Sequence, residues 1–357
     1  MRKKGVALTL IIFLACLIVV VVLLPQIKIW MLNLLPISEM ESHIIILTYS
    51  QDGCKTIRLN ETKQQWVKNW VSLAKSIGFK SIGVAELECY YLDDYLTDYL
   101  NLIREENLKA SIYIYWRDFT LNVSIGHFIE DFWKPIQFPD NATKCSKWIE
   151  WIQNVTLITK DYDNIEFYLL FLPFRWAGAY QANFYNYSGY YFWMQQAVNA
   201  IKSIDNDTPV LLVSDGIELE DENLTEYIPY GLENIDGYGF TYYSRTMNYF
   251  NESIFNDYVK FYKQKLKQHF KDGGYLCLAE WGYQTNNTYV YGYCSGENKK
   301  SELIKQTLNA ISYNQIKNWG YFAIQDFPSE QAEWGLAYFN YTLKPSGETM
   351  KELLKGE

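Results

Sequence analysis

The sequence predicts an α/β chain that closes into a (β/α)8 barrel, a TIM barrel, behind an amino-terminal transmembrane helix. Three observations predict it. Short apolar runs alternate with amphipathic helical stretches through eight units, the pattern of a parallel sheet with crossover helices. No Pro/Gly/Ser-rich linker interrupts residues 41–357. The segment Gly5 to Leu24 is 20 residues without a charge, about the length an α-helix needs to cross the hydrocarbon core.

The first strand is expected at 43–50 (HIIILTYS), followed by a helix in which Trp66, Trp70, Leu73 and Ile77 recur at helical spacing and Gly78 caps the end. Further strands are expected at 80–91, 109–118, 166–174, 208–216, 236–244, 274–281 and 320–327. Amphipathic stretches such as LDDYLTDYLNLIREEN, KWIEWIQNVTLI, DYVKFYKQKLKQHF and ELIKQTLNAISYNQIKNW separate them, and KPSGETMKELLKG forms a closing helix.

Arg2, Lys3 and Lys4 precede the apolar segment and are retained on the cytoplasmic side, which predicts a barrel outside the cell. The organisation is then a cytoplasmic tip at 1–4, an anchor at 5–24, a juxtamembrane stalk at 25–40 and the barrel at 41–357. A cleaved leader would need a shorter apolar run and a small-x-small site, which LLPQIKIW does not offer. Ten N-x-S/T sequons, from Asn60 to Asn340, agree with a glycosylated exterior.

A net charge of −9 without a Lys/Arg run argues against nucleic acid as a partner. There is no CxxC pair, and the histidines number 3 and are widely separated, so neither a metal site nor a cofactor is expected. Of the cysteines outside the anchor, Cys54 and Cys89 are the preferred bridge, because both would sit just beyond the ends of adjacent strands. The 31 Tyr and 12 Trp exceed what a core absorbs easily, since a buried phenol or indole needs a polar partner. Some should line a cleft.

In such a barrel the functional groups stand at the carboxyl ends of the strands. The polar residues ending the predicted strands are Glu86 and Glu88, Arg117 and Asp118, Asp215, Glu280, and Gln325 and Asp326. Glu280 follows Leu276-Cys277-Leu278-Ala279 and precedes Trp281-Gly282, so its carboxylate is expected at the mouth beside an indole. That combination suits a sugar: a carboxylate can attack an anomeric carbon while aromatic faces stack on the ring. An ion pair with Arg117 or Arg175 is the structural alternative. Glu86 and Glu88 share a strand face, where mutual repulsion can keep one protonated. Pairing with Arg117 is the alternative there, as helix capping is for Asp215. Trp116, Trp176, Trp281 and Trp334 fall near strand ends, as stacking platforms or as packing.

Strands six to eight resemble the clan of retaining (β/α)8 glycoside hydrolases that includes β-glucosidases, cellulases and mannanases. Ala279-Glu280-Trp281-Gly282 resembles its strand-seven motif, DGYGFTYYS its strand-six segment, and Gly320 to Ser346 its strand-eight ending. The resemblance implies Glu280 as nucleophile, held by Tyr242 or Tyr243. A glycan is the expected partner, with Trp281, Trp116, Arg117, Trp176 and Gln325, from their places at the strand ends, and Tyr242 and Tyr243 as the candidate contacts. The chain departs from the pattern at strand four, where the family places an Asn-Glu pair and this chain reads Leu172-Pro173-Phe174-Arg175-Trp176. The family's strand-eight Trp is replaced by Ile324. Glu86 lies three strands from strand seven, the same separation as strand four, which makes it and then Asp215 the candidates for the acid. A non-catalytic carbohydrate-binding or structural surface barrel is the competing expectation.

Overall fold

The structure is a computed structural model that describes residue 40 and residues 42–47, 61–85, 92–115, 142–171, 187–214, 231–244, 246–271, 273–286, 292–326, 333–338 and 340–356. The expected anchor, the Cys54–Cys89 bridge, Glu86, Glu88, Trp116, Arg117, Trp176 and Asp215 lie outside the described residues. Among the described residues no helix is long and apolar enough to cross a membrane. Cys277 and Cys294 are buried free thiols and Cys145 is buried, and no cluster of potential metal ligands occurs among the described residues.

Eight parallel strands close a barrel in sequence order: β1 (Ser42–Leu47), β2 (Ser81–Val84), β3 (Lys109–Ile114), β4 (Ile165–Phe171), β5 (Val210–Ser214), β6 (Gly237–Tyr242), β7 (Tyr275–Trp281) and β8 (Asn318–Tyr321). Closure is through β1 and β8, with Ser42 opposite Asn318 and Ile45 opposite Tyr321. The described helices are α1 (Glu61–Ile77), α2 (Leu92–Glu105), α3 (Ala142–Thr159), α4 (Tyr187–Lys202), α5 (Glu252–His269), α6 (Glu297–Tyr313) and α7 (Pro345–Lys355). The fold class expected from the repeating pattern is therefore present. β6 spans Gly237–Tyr242, within its expected run at 236–244. β8 starts two residues before its expected start and ends at Tyr321.

The helices follow from local chemistry. In α1, Val67, Trp70, Val71, Ala74 and Ile77 recur three or four residues apart and are buried. Gly78 then takes φ 113°, which only glycine adopts without strain. In α5 the Asn251 Oδ1 accepts from the Ile254 N–H at 3.2 Å, with Glu252 in the first turn and Lys267 in the last, each suited to the helix dipole. Sequon asparagines Asn154, Asn206, Asn286 and Asn340 are exposed, while Asn251 is half-buried as this cap.

Strand alternation separates two cores. Phe167, Leu169, Phe171, Leu211, Val213, Cys277 and Ala279 fill the barrel lumen. Tyr168, Leu170, Val210, Leu212 and Leu278 face outward to the helices. Filling the lumen makes it a packed core that offers functional groups only at its rim.

Behind β8 lies a buried ion cluster. The Lys344 Nζ is 2.6 Å from Asp326 Oδ2 and 3.6 Å from both Glu297 Oε1 and Glu333 Oε2. Lys300 is fully buried, and burial pushes its ammonium down to about 8 despite the nearby Glu297. Its unfolded-state pKa is the higher one, so between about pH 8 and 10.5 the unfolded chain binds the extra proton and stability rises with pH. The buried Cys277 and Cys294 thiols and the Tyr168, Tyr283 and Tyr321 phenols carry the opposite sign: burial raises them, so folding resists their ionisation and they lower stability from about pH 9 and about pH 10 upward respectively. The Lys300 contribution is therefore read as a difference: the urea-unfolding free energy of the parent minus that of Lys300→Met is expected to rise between about pH 8 and 10.5, the shared thiols and phenols cancelling. A difference that stays flat from pH 8 to 10 would contradict the buried ammonium.

Candidate active site

The central feature is an irregularity in β7. Against β6, Phe240 lies opposite Leu278 but Thr241 lies opposite Glu280. Against β8, Leu278 is opposite Trp319 and Trp281 is opposite Tyr321. One extra residue is therefore accommodated in β7 at Ala279-Glu280, a bulge of the kind that re-aims side chains. Simple alternation from lumenal Cys277 and Ala279 would send Glu280 outward and Trp281 inward. The bulge reverses this: Trp281 joins the outer core, and Glu280 turns to the carboxyl rim, where it accepts a hydrogen bond from the Tyr243 hydroxyl.

A bulge leaves ladder groups unpaired, and here the open carbonyl is answered from across the barrel. Tyr113, on β3, donates from its hydroxyl to the Ala279 oxygen at 2.6 Å. Gly320 on β8 makes the room, since a Cβ there would stand 2.5 Å from that oxygen and 2.8 Å from the Tyr113 hydroxyl. Gly282 does the same for the next turn, where a Cβ would lie 2.2 Å from the Phe322 oxygen. The Gly282 following Glu280-Trp281 thus lets the end of β7 pass beside the chain leaving β8. Tyr113→Phe leaves the buried Ala279 carbonyl without its donor and is expected to cost about 1–3 kcal/mol in urea unfolding. A cost under about 0.5 kcal/mol would mean that the phenol does not hold the bulge.

Around Glu280 the described wall is aromatic. Tyr115 packs at a tilt on Phe171, ring centroids 4.5 Å apart, and Phe171 stacks on Tyr113 at 5.2 Å. Trp334 meets the Tyr243 ring edge-on at 5.4 Å and Phe322 at 5.5 Å. Burial first, and then the charge of Glu280, raise the Tyr243 phenol well above its ordinary value. Burial, Cys277 and Glu280 do the same for Tyr113. Both phenols stay protonated and serve as donors, and the donor–carboxylate contact is charge-assisted.

Three sequence-predicted contacts lie elsewhere. Trp281 is fully buried, packed on Trp319 at 5.7 Å and Tyr321 at 4.9 Å behind the barrel wall, because the bulge turns it outward. Tyr242 faces the helices among Phe250, Phe255 and Tyr258, so Tyr243 is the tyrosine that meets Glu280. Gln325 is 3 % exposed, accepting from Trp70 Nε1 at 2.6 Å and donating to the Tyr338 oxygen at 2.9 Å; it pegs α1 to the final loop. Asp326 is occupied by Lys344 and by the Gly335 N–H. Ile324 is buried in the outer core, and Phe322 stands nearer the rim, packed on Trp334. Tyr113, Tyr115 and Phe322 were not singled out from sequence. The one signal for the tyrosines was Ser111-Tyr113-Tyr115 on a single strand face.

Fold and site together define a parallel α/β barrel that gathers a carboxylate and phenols at its carboxyl rim, beside a bulged seventh strand. No protein-family model matches the chain, and no curated protein sequence does. Solved structures that share this barrel include glycoside hydrolases. Bacteroides uniformis β-glucuronidase 2 is 11% identical with TM-score 0.61, over 82% of this chain and 33% of that one. Xylanase 10B from Thermotoga maritima is 13% identical with TM-score 0.56, over 90% of this chain and 96% of that one. Endo-glycoceramidase II from a Rhodococcus species is 12% identical with TM-score 0.58, over 87% of this chain and 78% of that one. The chain thus spans about a third of the length of the Bacteroides enzyme. At such identities the likeness establishes the barrel.

Proposed function

We propose that the protein is a glycoside hydrolase acting on glycans outside the cell, with Glu280 as the nucleophile. The observation that carries this reading is the β7 bulge, which spends a local distortion to turn one carboxylate into an aromatic rim and sets a phenol donor on it. The neighbours in structure, enzymes named for cleaving glucuronides, xylan and glycoceramide, support the substrate class.

In the proposed reaction a Glu280 oxygen attacks the anomeric carbon as the bond to the leaving oxygen breaks, and a second carboxyl group protonates that oxygen. Water then releases the sugar. Glu86 and Asp215 are the proposed acids, Glu86 first. Trp116, Trp176 and Arg117 are proposed ligand contacts. Anchoring through residues 5–24, with the barrel outside, belongs to the same reading and rests on the apolar run and its basic flank.

The missing strand-four carboxylate favours a second reading, a barrel that binds glycans without cleaving them. Incubating residues 41–357 with a panel of oligosaccharides and polysaccharides separates the two. Release of reducing ends supports hydrolysis, whereas saturable binding without release supports the second reading.

A further inference from the structure

The buried ion cluster holds one group that neither fold closure nor the proposed chemistry uses. Lys300 projects from the first turn of α6 beneath the loop that follows β8. Its Nζ donates to the oxygens of Glu333 at 3.3 Å, Trp334 at 2.9 Å and Gly335 at 2.7 Å. An ammonium has three protons, and these three successive carbonyls can take all of them.

The same loop is tied on two other sides. Thr285 and Glu333 exchange backbone hydrogen bonds at 3.1 and 3.0 Å, and Asp326 accepts from the Gly335 N–H at 2.8 Å. What the loop presents is the Trp334 indole, which lies over two residues that leave it space: a Cβ at Gly292 would meet the ring at 3.2 Å and one at Gly282 at 3.5 Å. From there the ring abuts Tyr243 and Phe322. A continuous path of contacts therefore runs from the buried ammonium to the phenol on Glu280.

We propose that Lys300 is a positioning residue of the rim, its ammonium fixing the Glu333–Gly335 loop so that Trp334 holds Tyr243 against Glu280. The assignment of an effect on catalysis rests on the hydrolase reading; the positioning of Trp334 does not. The groups facing Lys300 are Glu297 at 3.6 Å on its own helix, Cys294 before that helix, Asp326 after β8, and Lys344 before α7. Of these, Lys344 is itself tied to Asp326, so Lys300 is left to the carbonyls. When its proton is lost, two donors remain for three acceptors, and the loop loses one of its holds.

The test uses protein labelled with 5-fluorotryptophan, the Trp334 fluorine resonance being assigned by its absence in Trp334→Phe. In the unmodified protein that resonance is expected to titrate with a midpoint near pH 8, the value to which burial lowers Lys300. In Lys300→Met it is expected to be displaced at all pH values without titrating, and methylammonium is expected to return it toward its original position in Lys300→Ala. Turnover on whichever glycan the parent cleaves should fall about 10²-fold in Lys300→Met, mainly in kcat, as for small misplacements at a reacting centre. A Trp334 resonance unmoved by pH from 7 to 9 and by the substitution overturns the proposal whether or not the parent has activity. Displacement of Trp334 with unchanged kcat in an active parent overturns the link to Glu280. A parent that cleaves nothing defeats the hydrolase reading, and the resonance still decides the role of Lys300.

Discussion

Glu280→Gln is expected to abolish glycan cleavage, with kcat/KM falling on the order of 10³-fold or more, since removing a covalent nucleophile is among the costliest single changes to an enzyme. The amide is isosteric, and its oxygen still accepts from the Tyr243 hydroxyl. Stability in urea should therefore remain within about 1 kcal/mol of the parent, which isolates chemistry from folding. Tyr243→Phe removes only the donor and should cost less, about 10²-fold. The ranking is itself a check. If Tyr243→Phe cost more than Glu280→Gln, the phenol rather than the carboxylate would be the reacting group.

Gly320→Ala is the largest expected structural effect. Its new methyl would stand 2.5 Å from the Ala279 oxygen, a backbone atom held by the sheet, and 2.8 Å from the Tyr113 hydroxyl. Neither atom can yield without opening the bulge, because the phenol is what satisfies that carbonyl. Overpacking of this kind costs about 3 kcal/mol and lowers Tm by several degrees in a domain of this size. Activity should fall with it, since the displaced carbonyl is one residue from Glu280. In Gly320→Ala combined with Tyr113→Phe, relief of the phenol contact leaves the carbonyl contact in place. The two changes should then be non-additive, as expected for residues in direct contact. A parent-like Tm in Gly320→Ala would mean that β8 does not approach the bulge this closely.

The barrel was legible because its signals are local. Trp70 and Ile77 of the expected helix face are buried, Leu73 is half-buried against the same core, and Gly78 ends the helix. The facing of β7 was not legible. Reading a period of two along Leu278-Ala279-Glu280-Trp281 cannot reveal a bulge, since a bulge is a relation between strands. This is why Trp281 was expected at the mouth and why Tyr242 and Tyr243 could not be told apart. Gln325 was misplaced for a related reason: the apolar run Tyr321-Phe322-Ala323-Ile324 reads as strand, yet pairing ends at Tyr321. Tyr113 needed knowledge of both Ala279 and Gly320, far along the chain, before its phenol could be given a task. Lys300 sits in a helix whose neighbours Lys299 and Glu302 are ordinary surface charges, and nothing in its composition announces a buried ammonium.

In the proposed reaction the bulged β7 delivers Glu280 to a sugar as its covalent partner. An activated 2-deoxy-2-fluoro glycoside matching the cleaved substrate slows release of a glycosyl-enzyme more than its formation, so the adduct accumulates and peptide mass spectrometry locates it. One sugar per chain is expected, on the peptide carrying Glu280, and none on Glu280→Gln. A parent that cleaves glycans yet carries the label on another residue, or on none, would contradict it.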